Sequence, residues 1–215
     1  MTQSQLAGNA PPAHTMLRVL AGAVGWTAAA LLAAVLCGLL LGFMAVNSVL
    51  PVEERTILFA GGGALGASIF LLSVVASHKR WATDYFVLRN AAGCLALVGL
   101  VAAYQMMLTR LLDLPAPDHG QMFAVLVVIV CVVSPICEET FFRGFLWERI
   151  EAAGGVRSAG LWTSVLWLSI HVNPAHILLL VPVAAALAII RIFSGGTPMA
   201  ILAHIVLNLI AVFHL

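Results

Sequence analysis

Charge is what this chain has least of: Lys and Arg number 10 and Asp and Glu 9 in 215 residues, 9% together. Hydrophobic residues reach 62% and mean hydropathy is +1.08, outside the range of soluble globular domains. A single core facing water on all sides is excluded, and the bilayer is the solvent. The net charge of +1 comes without a basic block or an aromatic–basic stretch, so nothing here favours nucleic acid as a partner. Cysteine patterning is missing too. Cys37, Cys94, Cys131 and Cys137 are scattered through apolar segments without a CxxC pair, which excludes a zinc ribbon and a disulfide framework. They read as small buried hydrophobes.

What is present is a series of apolar runs. Residues 1–17, with Pro11-Pro12 and polar neighbours, read as a disordered or surface-lying tail. Val19 to Val52 carries no charge, too long for a signal-peptide core, so a first helix is expected from about Arg18 to Val46. Further spans are expected near Ile57–Ser77, Ala91–Leu108, Met122–Ile150, Ser158–Val172, Ile177–Ile192 and Met199–Phe213. The expected fold is an all-α bundle of about seven transmembrane helices, divided into N-terminal helices over 18–120 and a motif-bearing core over 121–215. Gly62-x-x-x-Gly66 reads as a helix-packing face. Arg18, Lys79, Arg80, Arg89, Arg149, Arg157 and Arg191 would share one side, against Arg55 and Arg110 beside Glu53, Glu54, Asp113 and Asp118 on the other. That asymmetry predicts a cytoplasmic N-terminus.

The scarce charge is concentrated at one place. Cys137-Glu138-Glu139-Thr140-Phe141-Phe142-Arg143-Gly144 follows Phe123 to Ile136, a stretch without any charge. Charges removed from water are destabilising unless paired or used. On a helix Glu139 and Arg143 are one turn apart and share a face, which predicts a buried ion pair. Glu138 is rotated roughly 100° away, so the two carboxylates need not point at the same partner. A pair alone needs one acid; the second acid points to function.

Two further polar pairs stand at helical spacing: Trp167 with His171, and His204 with Asn208. The segment bearing Glu138 and the segment bearing His171 are joined near Gly154-Gly155, a natural turn. In an antiparallel pair about that turn, Glu138 and His171 fall at equal depth, each ~20 Å back from the helix ends. Folding back about Asn173-Pro174 and Gly195-Gly196 leaves His204 nearer the level of Glu148, a mismatch that an irregular sixth span or unequal tilts would remove. His14, His78, His119, His176 and His214 read as ordinary tail, loop or interface histidines.

EExxxR, then an aromatic residue four positions before His, then HxxxN, in that order on successive apolar segments, resembles the CPBP family of intramembrane endopeptidases. That family includes CAAX prenyl endoproteases, bacteriocin-processing proteins and Abi-type proteins. The matching stretch runs from about Met122 to the C-terminus. Trp167 stands where the family usually has Phe. The resemblance implies hydrolysis of a peptide bond in a membrane-associated peptide or protein. By it, Glu138 is the general base that activates a water, assisted by His171, and His204 and Asn208 polarise the scissile carbonyl. Glu139 and Arg143 would hold the helix and its partners in register. The family has also been called metalloproteases, and Glu138, His171 and His204 could then supply a three-ligand zinc site with an open position. HExxH is absent and a glutamate–histidine pair can activate water unaided, so no cofactor is expected.

Other classes stay open at this stage. A non-catalytic immunity or partner-binding relative could retain the motif for folding, and intramembrane Glu, His and Arg also build proton relays in transporters. Against transport, the polar residues gather in one late cluster without matching broken helices in the two halves. A thiol mechanism through Cys137 is a further alternative. The richness in Ala, Gly and Leu suggests a bacterial source and hence the inner membrane, but the substrate is not written in the sequence.

Overall fold

The computed structural model describes residues 13–46, 52–77, 90–112, 123–171 and 174–214. Lys79, Arg80, Arg89, Asp113, Asp118, His78 and His119 lie outside those residues. Of His14, Glu53, Glu54, Arg55, His176 and His214 only the backbone is described. Among the described residues every element is helical: α1 (Ala13–Val46), α2 (Val52–Ser77), α3 (Ala91–Leu111), α4 (Phe123–Val127), α5 (Ser134–Glu139), α6 (Trp147–Ser169), α7 (Pro174–Ser194) and α8 (Thr197–His214). Two π-helical segments, Val128–Val133 and Thr140–Leu146, join α4 to α5 and α5 to α6. The first helix begins at Ala13, directly after Pro11-Pro12.

Among the described residues four helical runs are long and apolar enough to cross a membrane: Thr15–Leu41, Ala91–Leu111, Phe123–Ser169 and Ile177–Ser194. Gly61–Ala76 and Thr197–Phe213 are apolar but shorter, so by length and composition the count is four where the sequence suggests about seven. Part of the difference lies in the 47-residue run Phe123–Ser169. Gly155 interrupts it at φ 80°, ψ 170°, a conformation that suits glycine. The chain turns back there. Trp167 hydrogen-bonds Glu138 across 29 residues, which a straight helix would hold about 43 Å apart.

Glycine brings α1 and α2 together. A Cβ at Gly62 would stand 2.5 Å from Leu41 Cδ1, and one at Gly66 2.6 Å from Cys37 Cβ and 2.9 Å from the Ala33 carbonyl oxygen. The Gly62-x-x-x-Gly66 face is therefore a packing face, as small residues are used between membrane helices.

Proline inside helices poses a different problem, since each lacks an N–H and orphans one carbonyl. Pro182 cannot serve Leu178 O within α7, and the Tyr104 hydroxyl of α3 donates to that oxygen at 3.3 Å. Pro135 follows the π-helical register in which Ser134 N–H bonds Ile129 O, so the next carbonyl, Val130 O, loses its donor. Asn208 Nδ2 of α8 donates to Val130 O at 2.8 Å. Both orphans are answered from another helix, as buried polar groups require.

Candidate active site

The short helix α5 ends in Glu138-Glu139, and the helical rotation between the two sends them to different surroundings. Glu139 is fully buried. Its Oε1 accepts from Arg143 Nη1 at 3.2 Å and lies 3.0 Å from His204 Nδ1. An ionised carboxylate only accepts, so His204 Nδ1 carries the hydrogen of that contact. Glu139 Oε2 and Arg143 Nε are buried without a hydrogen-bond partner among the described residues.

Arg143, also fully buried, reaches Ala184 O with Nη2 at 3.5 Å, and Ser164 Oγ donates to the same oxygen at 3.1 Å. The carbonyl of Arg143 itself accepts from Arg191 Nε at 3.0 Å and Thr197 Oγ1 at 3.3 Å. Its neighbour Gly144 lies against Thr197. Arg191, counted in the sequence among the cytoplasmic flanking charges, is instead buried, with its guanidinium 5.5 Å from the Trp147 ring.

These bonds explain why the depth arithmetic misplaces His204. It takes the turn between α7 and α8 to lie level with the helix end near Glu151. The turn is pinned at Arg143, eight residues or about 12 Å short of that end. His204, seven residues into α8, then arrives level with Glu139 and not with Glu148.

Glu138 is half-buried and its Oε2 accepts from Trp167 Nε1 at 2.6 Å. Trp167 is fully buried, with the Arg143 guanidinium 5.2 Å from its ring centroid and His204 edge-on at 5.4 Å. His171 tilts against the same indole at 4.5 Å. It does so from outside the helix: α6 ends at Ser169, so the expected pairing of Trp167 and His171 on one helical face is replaced by a cap. His171 Nδ1 lies 3.0 Å from Trp167 O, a carbonyl of the last turn that also accepts from Ile170 N–H at 3.3 Å. A carbonyl only accepts, so Nδ1 carries the hydrogen, and in the neutral ring Nε2 is the basic nitrogen.

Glu138 and His171 open on one cavity of about 200 Å³, walled by Ala30, Leu31 and Ala34 of α1 and Gly63, Ala64 and Ala67 of α2, with Ile170 at its edge. A carboxylate and an imidazole sharing an otherwise apolar recess can take a proton from a water held there.

Of the residues expected from sequence, Glu139, Arg143 and His204 form one cluster, Glu138 and His171 a second, and Trp167 touches both. Asn208 is held against Val130, one helical turn beyond His204. Arg191 and Thr197, which fix the height of α8, went unrecognised; the only hint is Thr197 opening the helix after Gly195-Gly196. Among the described residues no three His, Cys, Asp or Glu side chains gather as a metal-binding set, so the zinc arrangement of Glu138, His171 and His204 is not assembled. Cys137 is buried.

No curated protein and no solved structure matches the chain. A family model does, over residues 120–210, and its description is type II CAAX prenyl endopeptidase Rce1-like. The match covers both arms about Gly155, α7 and most of α8, the part that holds every residue of the two clusters. With four helices among the described residues able to cross a bilayer, the chain is an integral membrane protein, and its residues 120–210 are similar to the type II CAAX prenyl endopeptidases of the Rce1-like family.

Proposed function

We propose that the chain is an intramembrane endopeptidase that hydrolyses a peptide bond of a membrane-associated peptide or protein with a water activated by Glu138 and His171. The observation that carries this reading is the cavity that Glu138 and His171 share. Glu138 takes a proton from the water, hydroxide adds to the scissile carbonyl carbon, and the proton passes to the leaving amine. His204 gives its Nδ1 hydrogen to Glu139, which orients the ring, and in its imidazolium form it would offer Nε2–H to the developing oxyanion. Asn208 has two Nδ2 hydrogens; one is used on Val130 O and the second is assigned to the same oxyanion.

No step of this reading is routed through a metal; among the described residues Glu138, His171 and His204 do not gather as a three-ligand set. Purified protein is expected to keep its activity after exhaustive treatment with a tight zinc chelator; complete loss restored by zinc would reverse this choice.

The family description names prenyl CAAX substrates, which makes a prenylated C-terminal peptide the first substrate to assay. Bacteriocin leaders and the C-terminal anchors of sorted surface proteins are the others. The proposed setting is a bacterial inner membrane with the N-terminus in the cytoplasm. Glu138→Gln is the deciding variant. It is expected to abolish processing while expression and membrane insertion stay normal, and normal processing by that variant would sink the protease reading.

A further inference from the structure

The indole of Trp167 is placed as no phenylalanine could be. Its N–H is the one hydrogen bond given to Glu138 by the described residues, 2.6 Å from Oε2, and apart from His171 the Glu138 recess is apolar. A glutamate side chain has several free torsions, and one partner at one oxygen removes most of that freedom. The indole is itself immobilised. It is fully buried, lies under the Arg143 guanidinium, contacts the His171 and His204 rings, and accepts His171 Nδ1 on its own carbonyl.

Resting on the reading of Glu138 as the general base, we infer that Trp167 is its positioning residue. Its indole N–H fixes Oε2 and turns Oε1 toward the cavity, where the water is activated. The same ring sets the spacing between the Glu138–His171 pair and the Glu139–Arg143–His204 cluster, so one side chain keeps base and oxyanion donor in register. Where the aromatic residue four positions before the histidine is Phe, the ring contacts remain but no N–H is available. In this chain the carboxylate has come to depend on it.

The test removes the N–H and keeps the ring. Trp167 is replaced by 3-benzothienylalanine, which has the size of tryptophan with sulfur in place of the N–H, and by Trp167→Phe as a genetic counterpart. Misplacing a reacting group by an ångström is worth as much as 100-fold in rate. The benzothienyl protein is therefore expected to lose roughly 10- to 100-fold in kcat with KM changed less than about twofold and an unaltered thermal midpoint.

A second measurement does not depend on turnover. In a ¹⁵N-tryptophan spectrum of the detergent-solubilised protein, the indole resonance that disappears in Trp167→Phe is expected to move upfield in Glu138→Gln. A kcat within twofold of wild type in the benzothienyl protein, or an indole resonance indifferent to Glu138→Gln, overturns the inference. Loss of processing in Glu138→Gln beside an unimpaired benzothienyl protein refutes the role of Trp167 alone; normal processing in Glu138→Gln refutes the protease reading itself.

Discussion

Asn208 donates its side-chain N–H to Val130 O at 2.8 Å, the carbonyl left without a donor by Pro135 in the π-helical register. The bond ties α8 to the backbone just before α5, and so to the base of Glu138 and Glu139. Removing it leaves a carbonyl unsatisfied away from water, at about 1–3 kcal/mol. Asn208→Ala is expected to destabilise the protein by that amount. Pro135→Ala restores a backbone N–H to the same oxygen, so the double variant is expected to recover at least half of the loss. Equilibrium unfolding of the four proteins gives the coupling directly; strictly additive effects would refute the link.

Glu139 holds two partners on one oxygen, Arg143 and His204, at 3.2 and 3.0 Å. Deleting one member of a buried ion pair leaves the other charge uncompensated, at about 3–5 kcal/mol. Glu139→Gln is therefore expected to lower thermal stability well beyond Glu138→Gln, whose side chain is only half-buried. The shared oxygen adds a consequence that the ion pair alone lacks. Glu139→Gln also weakens the hold on His204, so kcat falls alongside stability, whereas Glu138→Gln loses activity with little loss of stability. A Glu139→Gln protein as stable as wild type in detergent melts would remove the ion pair from the account.

Three glycine substitutions separate packing from backbone propensity. A Cβ at Gly66 stands 2.9 Å from the Ala33 carbonyl, backbone that cannot swing aside, while a Cβ at Gly63 meets only the Ala34 carbonyl at 3.3 Å and one at Gly99 meets nothing within 4 Å. Gly66→Ala is expected to cost about 1–3 kcal/mol by forcing α1 and α2 apart. Gly63→Ala should cost less. Gly99→Ala should be neutral or stabilising, because alanine loses less conformational freedom in a helix. Thermal midpoints in that order support the α1–α2 contact as built; a Gly66→Ala midpoint equal to that of Gly99→Ala contradicts it.

What could be read from the sequence was what helical geometry dictates locally. The 100° rotation between adjacent residues already separates Glu138 from Glu139, and the spacing of Glu139 and Arg143 already pairs them. The Gly154-Gly155 turn was legible because glycine tolerates the positive φ that Gly155 adopts. His204 was not legible in depth. Its height follows from where Arg191 and Thr197 grip the Arg143 carbonyl, a tertiary choice without a period in the sequence. The π-helical segments around α5 escaped for a similar reason: an extra residue per turn leaves no mark in a run that is apolar on every side. Among the described residues the turn at Gly155 falls inside one continuous apolar run, Phe123–Ser169, and α2 and α8 contribute only Gly61–Ala76 and Thr197–Phe213.

The cavity makes the last expectation the most direct. Ala34 of α1 and Ala67 of α2 both line it, and neither carries anything past Cβ, so short side chains leave the space beside Glu138 and His171 open. Ala67→Leu adds three carbons to that wall without touching a hydrogen bond. A substrate that must lie in the recess meets the leucine, so KM is expected to rise about 10-fold or more, by analogy with pocket discrimination by a few methylenes. Filling an open recess disturbs packing little, and the thermal midpoint is expected to hold or rise slightly. The comparison that matters is with Ala96→Leu on α3, which is exposed and does not line the cavity. If both variants process substrate as wild type does, the bond that is cut does not pass through this cavity, and Glu138 must meet its substrate from another side.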